Sequence, residues 1–216
     1  MDTSNTNKQV GNNQSKETTE LIIGYLEFAT RGQTVRYILD LVDYPYTEAK
    51  YTSVSTEWEK NKSELGLDFP NLPYVIHGDF SISESQNIVN YLIELTNQQY
   101  LYGEGKEKYR VDNIRFVCDD LFSKIYQASK QTEEGKNVLD SQVIPKIQQL
   151  QKALGNKSQF FEKLSIADIY AFTALNSFKI KCPNTYLEFA STFDPYLKRL
   201  EVILSKKSSQ KSQIKQ

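Results

Sequence analysis

Apolar residues recur along this chain with two different periods, and the change of period divides it. Leu21-Ile22-Ile23-Gly24-Tyr25 is a short apolar run that reads as the buried first strand of a mixed sheet, with Tyr25 at its end. From Gln33 to Asp43, Val35, Ile38, Leu39 and Val42 return at helical spacing, with Arg36, Asp40 and Asp43 on the opposite face. Pro45 to Thr52 reads as a second strand, and a parallel return after a crossover helix makes a right-handed βαβ unit. Val54 to Glu64 is polar apart from Trp58 and reads as an irregular loop or short helix. Tyr74 to Ile76 and Phe80 to Ser81 form a hairpin about His77-Gly78-Asp79; Ser85 to Leu95 then closes the unit with Ile88, Val89, Leu92 and Ile93 facing the sheet. The order βαβ, long loop, ββα predicts a thioredoxin-like domain over residues 20–95.

Residues 96–106 have the glycines and polarity of a linker, and from there a period of 3.6 is sustained. An all-helical domain is predicted over 107–205, so the fold class is α/β followed by an all-α bundle. Val111, Ile114, Cys118, Leu121 and Ile125 mark one long helix. Val138, Ile144, Ile147, Leu150 and Leu154 mark another, with Pro145 as a kink or restart. Ser165-Ile166-Ala167-Asp168 reads as a capped helix start, and the stretch after it is apolar nearly all round, as suits the centre of a bundle. Asp194-Pro195 is expected to cap a last helix, with Leu197, Leu200, Ile203 and Leu204 inward. The polar stretch 1–19 buries too little to offset its ordering entropy, and disorder is expected there, while 206–216 reads as a polar C-terminal tail.

Composition narrows the function by exclusion. The chain has 216 residues, 39% of them hydrophobic and 25% charged, enough for a core without disulfides or metals. A formal net charge of −1 argues against global attraction to nucleic acid or an anionic membrane. Cys118 and Cys182 form no CxxC pair and are expected to be free thiols, which also speaks against thioredoxin-type redox work. No secretory h-region or bilayer-spanning run is evident, so a cytoplasmic location is expected. With one histidine, His77, in the hairpin turn, neither a metal site nor a Ser-His or Cys-His nucleophile is expected. Chemistry must then use tyrosine, carboxylate, lysine or a bound cofactor.

The stretch from Leu65 to Ser85 suits a small charged peptide. Leu72-Pro73 is an X-Pro bond, where cis is cheap, and such a turn before a strand presents the Leu72 backbone groups to an added extended peptide. Ser85 opens a helix, whose N–H groups and positive dipole end suit a carboxylate.

Together with Ile22-Ile23-Gly24-Tyr25, the run Leu65 to Tyr74 resembles cytosolic glutathione transferases, nearest the mu class, and the resemblance covers roughly Glu20 to Leu204. It implies a homodimer that conjugates reduced glutathione, as co-substrate and without metal, to hydrophobic electrophiles. Tyr25 is then the catalytic residue, its phenol donating to the glutathione sulfur. One hydrogen bond to a charged group contributes about 1.5–3 kcal/mol and a pKa unit about 1.4 kcal/mol, so a thiol near 8.5 falls by roughly one to two units. By the same resemblance Trp58 and Lys62 approach the glycine carboxylate, Asn71 and Leu72 stand beside a cis-proline, Pro73, with the Leu72 main chain as partner of the cysteinyl unit, and Glu84 and Ser85 hold the γ-glutamyl end, Ser85 on the carboxylate and Glu84 on the ammonium. Asp120 is implied to reach the partner subunit's site, while Arg31, Phe122, Tyr126 and Lys130 are implied to line the electrophile pocket.

Departures from the mu pattern are specific. Leu26, at the glutathione site, stands where a tryptophan follows the tyrosine, and Glu84 replaces a glutamine. The loop before Trp58 is short, and the region of Ser55 offers no basic residue. Ala29-Thr30-Arg31-Gly32 differs from the expected arginine-glycine turn; Lys130 falls at the place of a second tyrosine, for which Tyr126 one turn earlier substitutes. The compact loop and Thr30-Arg31 are partly similar to the sigma class. Two other readings therefore stand beside conjugation: a non-catalytic ligand-binding or structural protein on this fold, and a glutathione-dependent isomerase.

Overall fold

The computed structural model describes residues 19–27, 30–52 and 57–204. The expected polar tails fall outside them, Thr19 excepted, as do Ala29 and Ser55. Strand β1 (Leu21–Leu26) leads into helix α1 (Arg31–Val42) and strand β2 (Thr47–Tyr51). A short helical turn, α2 (Glu59–Asn61), follows, then the hairpin β3 (Tyr74–His77) and β4 (Phe80–Ser83) and helix α3 (Ser85–Leu95). The four strands lie in the order β2-β1-β3-β4; β1 is parallel to β2 and antiparallel to β3. This is the thioredoxin-like arrangement expected from the pattern.

Strand alternation puts Leu21, Ile23 and Tyr25 on one face of β1 and Gly24 and Leu26 on the other. Leu21, Ile23 and Val75 are buried with Val35, Ile38 and Leu39 of α1 and Ile88, Val89, Leu92 and Ile93 of α3. A second, aromatic cluster contains Tyr25, Leu26, Tyr51, Trp58 and Tyr74. Gly24 makes that cluster possible, since a Cβ there would stand 1.9 Å from a Tyr74 ring carbon. Tyr51 and Tyr74 share a hydroxyl hydrogen bond of 2.9 Å, and Trp58 stacks on Tyr74 with centroids 5.9 Å apart. Burial pushes the Tyr74 phenol well above its ordinary value, with the Tyr51 contact adding to the rise.

The helical domain runs through α4 (Glu107–Ala128), α5 (Glu133–Val138), α6 (Ile144–Leu154), α7 (Ile166–Lys181), α8 (Pro183–Tyr186) and α9 (Ala190–Leu204). Helix α7 is the central element, with twelve buried residues from Ile166 to Phe178. Its capping box is formed: Asp168 Oδ2 accepts from the Ser165 N–H and hydroxyl, each at 3.0 Å. Asp168 Oδ1 also accepts from Phe160 N at 3.0 Å and the Tyr196 hydroxyl at 3.1 Å, tying α7 to the preceding loop and to α9. Burial raises the Asp168 carboxyl above its ordinary value, and these donors oppose the rise.

Several elements differ from the pattern reading. His77 ends β3 instead of occupying the turn, and its Nδ1 lies 2.6 Å from the Tyr91 hydroxyl. Within 96–106 the chain makes a 3-10 turn, Gln99–Tyr102, whose Leu101 is wholly buried. Pro145 opens α6 after a π-helical segment, Leu139–Val143, so the helix restarts there. Asp194-Pro195 lies inside α9, which begins at Ala190, because Asp194 is held by Lys179 Nζ at 2.8 Å and the Tyr186 hydroxyl at 2.7 Å. Arg36 and Asp40, assigned to a polar face of α1, are buried. Arg36 Nε donates to Glu48 Oε1 at 2.7 Å and the Tyr46 hydroxyl to Asp40 Oδ1 at 3.2 Å, so β2 and its approach cover that face.

Candidate functional site

Tyr25 stands at the penultimate position of β1, and its ring lies against the start of α1. A Cβ on Gly32 would sit 2.1 Å from Tyr25 Cδ1, so this approach requires glycine. The Tyr25 hydroxyl is hydrogen-bonded to Thr30 Oγ1 at the head of α1, and the side chain is 6% exposed. The Arg36 guanidinium lies 6.0 Å from the ring centroid, and its Nη2 donates to the Leu26 carbonyl at 3.4 Å. Thus the phenol is fixed by contacts to α1, with its oxygen at the helix start.

Leu72-Pro73 is cis, as the sequence allows. Leu72 packs against the aromatic cluster that contains Tyr25, Leu26 and Trp58, which brings the loop and the strand end together. The loop is fastened to β4 by the Ser81 hydroxyl donating to the Gly66 carbonyl at 2.6 Å and the Ser83 hydroxyl to that of Phe69. Asn71 bridges two other candidates: its Oδ1 accepts from Leu72 N, and its Nδ2 donates to Glu84 Oε1, both at 2.9 Å. The Leu72 N–H therefore has a local partner in the side chain beside it.

Glu84 has φ 68° and ψ 109°, a positive φ that is uncommon for any residue but glycine. Such backbone strain persists where surroundings impose it, and it often marks ligand sites. Ser85, the first residue of α3, is buried, and its neighbour Gln86 is clamped from the helical domain. Arg115 of α4 donates to Gln86 Oε1 at 2.5 Å, to its carbonyl at 2.9 Å and to Asn90 Oδ1 at 3.0 Å. This nearly buried guanidinium, with Asp112 at 3.5 Å, anchors the helix end that the sequence offers to an anion.

The remaining candidates lie in three settings. Trp58 is core, edge-on to Tyr51 at 5.6 Å as well as stacked on Tyr74, and Lys62 is paired with Glu59 at 2.6 Å. Arg31 Nε donates to Asp119 Oδ1 at 3.1 Å, and its guanidinium lies 5.7 Å from the Phe122 ring, so α1 and α4 meet there. Further along α4, Asp120 is paired with Lys146, and Tyr126 is exposed with Lys130 and Lys181 at 5.7 and 5.4 Å from its ring. Among the described residues Tyr126 and Lys130 make no contact with the Tyr25 group; Lys130 lines an open recess of about 600 Å³ with Lys136 and Lys181.

Thr30, Gly32, Arg36, Asp119 and Arg115 are contributors that the residue pattern did not single out for the site. A threonine before a helix signals only a cap, and a charged residue on a helix signals only a solvated face. Among the described residues no group of His, Cys, Asp and Glu is placed to hold a metal, and no helix is long and apolar enough to cross a membrane.

Comparison with known proteins bears on the family and the fold. Residues 23–94 match the family described as Glutathione S-transferase, N-terminal domain. Glutathione S-transferase 2 of Gallus gallus is 30% identical over 192 residues, covering 84% of this chain and 85% of that protein. Glutathione S-transferase Mu 5 of Homo sapiens is 30% identical over 206 residues, covering 88% and 92%. Among solved structures, the Fasciola hepatica sigma class GST superposes with a TM-score of 0.73 at 18% identity, covering 89% of this chain and 95% of that one. The rat hPGDS complexed with a quinoline gives 0.72 at 20% identity, covering 91% and 100%. At these identities the structural likeness speaks for the fold.

Proposed function

This chain belongs to the glutathione S-transferase family, and from that premise we propose that it conjugates glutathione to hydrophobic electrophiles through a thiolate stabilised by Tyr25. The observation that carries this reading is the placement of the Tyr25 phenol at the head of α1, beside a cis-proline loop whose Leu72 packs on the same cluster. The Leu72 backbone takes the cysteinyl unit as an added strand would, its N–H exchanging Asn71 Oδ1 for the peptide. Ser85 and the amino end of α3 receive the γ-glutamyl carboxylate, and Glu84 receives the ammonium. Lys62, released from Glu59, and Trp58 serve the glycine end. The chain works as a homodimer, in which Asp120 extends to the partner's site; Phe69, Tyr109 and Phe116 are exposed aromatics suited to burial between subunits.

In the reaction, bound glutathione loses its thiol proton to solvent and the sulfur is held as thiolate by the Tyr25 O–H. The thiolate attacks the electrophilic carbon; for an aryl halide the new C–S bond forms as halide departs. Tyr25 keeps its proton throughout, so no histidine base is required. Arg31 and Phe122 lie where α1 meets α4 and line the approach of the electrophile.

Tyr25→Phe tests the reading. Turnover with an aryl chloride is expected to fall by about 10–100-fold, the equivalent of one to two pKa units, while glutathione still binds. Wild-type turnover in this variant, or retention of glutathione with no conjugation by the wild-type chain, overturns it; the second outcome is that of a ligand-binding protein on the same fold.

A further inference from the structure

Thr30 occupies the N-cap position of α1, where a threonine hydroxyl ordinarily accepts from an N–H of the first turn. It makes no such bond. The backbone alone does the capping work, the Thr30 carbonyl accepting from Gln33 N at 2.9 Å, while the hydroxyl is turned to the Tyr25 phenol. Two hydroxyls in contact must have one donor and one acceptor. If the Tyr25 O–H points at a sulfur, the Tyr25 oxygen is free to accept, and the Thr30 hydroxyl is the group at hand to donate to it.

We infer that Thr30 is a positioning residue for the conjugation reaction, its hydroxyl donating to the Tyr25 oxygen so that the phenol's own proton is aimed at, and held more strongly by, the glutathione thiolate. This rests on the proposed role of Tyr25. No proton is transferred between the two residues. A hydrogen bond accepted by the phenol oxygen polarises the O–H bond and strengthens its donation, the cooperative effect of a chain of hydrogen bonds in a poorly solvated place. Tyr25 is 6% exposed, so water competes little for its oxygen. The charged groups on the elements packed against it include Arg31, Arg36 and Asp40 of α1, Glu48 and Lys50 of β2, the latter beside Tyr25 in the sheet, and Asp119 of α4. Arg31 joins Asp119, Arg36 and Lys50 both join Glu48, and the Tyr46 hydroxyl donates to Asp40, contacts in which the Thr30 hydroxyl takes no part.

The test is a pH titration of glutathione bound to the full-length chain, read by thiolate absorbance and repeated as turnover against pH with an aryl chloride. Thr30→Val removes the hydroxyl and keeps the shape and the capping carbonyl. It is expected to raise the thiol midpoint by about half a unit, which lowers turnover about 3-fold below the midpoint and leaves the alkaline plateau unchanged. Thr30→Ser is expected to restore the wild-type midpoint, and Thr30→Val is expected to add no shift in a Tyr25→Phe background. Thr30→Ala supplies the same comparison should valine pack poorly, with thermal melts checking each fold. A Val or Ala variant with the wild-type midpoint, a Ser variant shifted as far as Val, or a full shift added to Tyr25→Phe overturns the inference. If Tyr25→Phe itself leaves the midpoint unmoved, the role of Tyr25 falls first; if only the Thr30 variants leave it unmoved, the role of Tyr25 stands and that of Thr30 does not.

Discussion

Arg31 and Asp119, 88 residues apart, join the two halves of the molecule at the edge of the proposed cleft: Arg31 Nε meets Asp119 Oδ1 at 3.1 Å, and Nη2 meets the Asp119 carbonyl at 3.1 Å. Arg31 opens α1, the helix that also positions Tyr25. With side chains 35% and 22% exposed, the pair is partly screened, and a coupling of about 1 kcal/mol is expected. A double-mutant cycle with Arg31→Ala and Asp119→Ala in denaturant measures it. Additive single effects would mean that the pair is incidental to domain docking.

Gly32→Ala places a methyl where the Tyr25 ring now lies, 2.1 Å from Cδ1. Alanine favours a helix over glycine by up to about 1 kcal/mol, so α1 itself is not weakened. The ring must move, and roughly 10–100-fold loss of turnover is expected with helix content preserved. Kinetics beside circular dichroism separate the two effects. Wild-type kinetics in this variant would show that the phenol's present position is dispensable.

Asp168 collects four donors in a buried place, from Ser165 N and Oγ, Phe160 N and the Tyr196 hydroxyl. Asp168→Ala leaves them without an acceptor and removes the capping box of the central helix. A loss on the order of 3 kcal/mol is expected from the denaturation midpoint. A loss no larger than that of an exposed aspartate would show that water replaces the carboxylate.

Asp194 links α7, α8 and α9 from a half-exposed position. The Lys179 and Tyr186 hydrogen bonds lower its carboxyl below the ordinary range. A folded-state pKa below the unfolded value means that the stabilisation is present above the unfolded pKa of about 3.9 and is lost as pH falls through the folded one. Comparing wild type with Asp194→Asn in denaturant, the stability gap is expected to be small but measurable near neutrality and to close in that acid window. A gap independent of pH would assign it to packing instead.

Local chemistry made much of this molecule legible without coordinates. Strand period followed by helical period gave the order of elements, and Ser85–Leu95 and the Ser165–Asp168 cap stand at the positions expected. Repeats of this kind are properties of neighbouring residues, and burial of one face enforces them. Asp194-Pro195 has the local preference of a helix start, but that preference is indifferent to the tertiary bonds that hold Asp194 inside α9. Leu101 looked like part of a polar linker because no local signal reports what it packs against.

The sequence by itself determined the thioredoxin-like order of elements, the helical half that follows, and a tyrosine at the end of the first strand, since each follows from spacing along the chain. Only the tertiary structure decided that the Thr30 hydroxyl leaves its cap for Tyr25, that Arg36 is buried against Glu48, and that Arg31 crosses to Asp119. A polar side chain on a helix surface can face water or a partner, and which it meets depends on what the rest of the chain brings within hydrogen-bond reach.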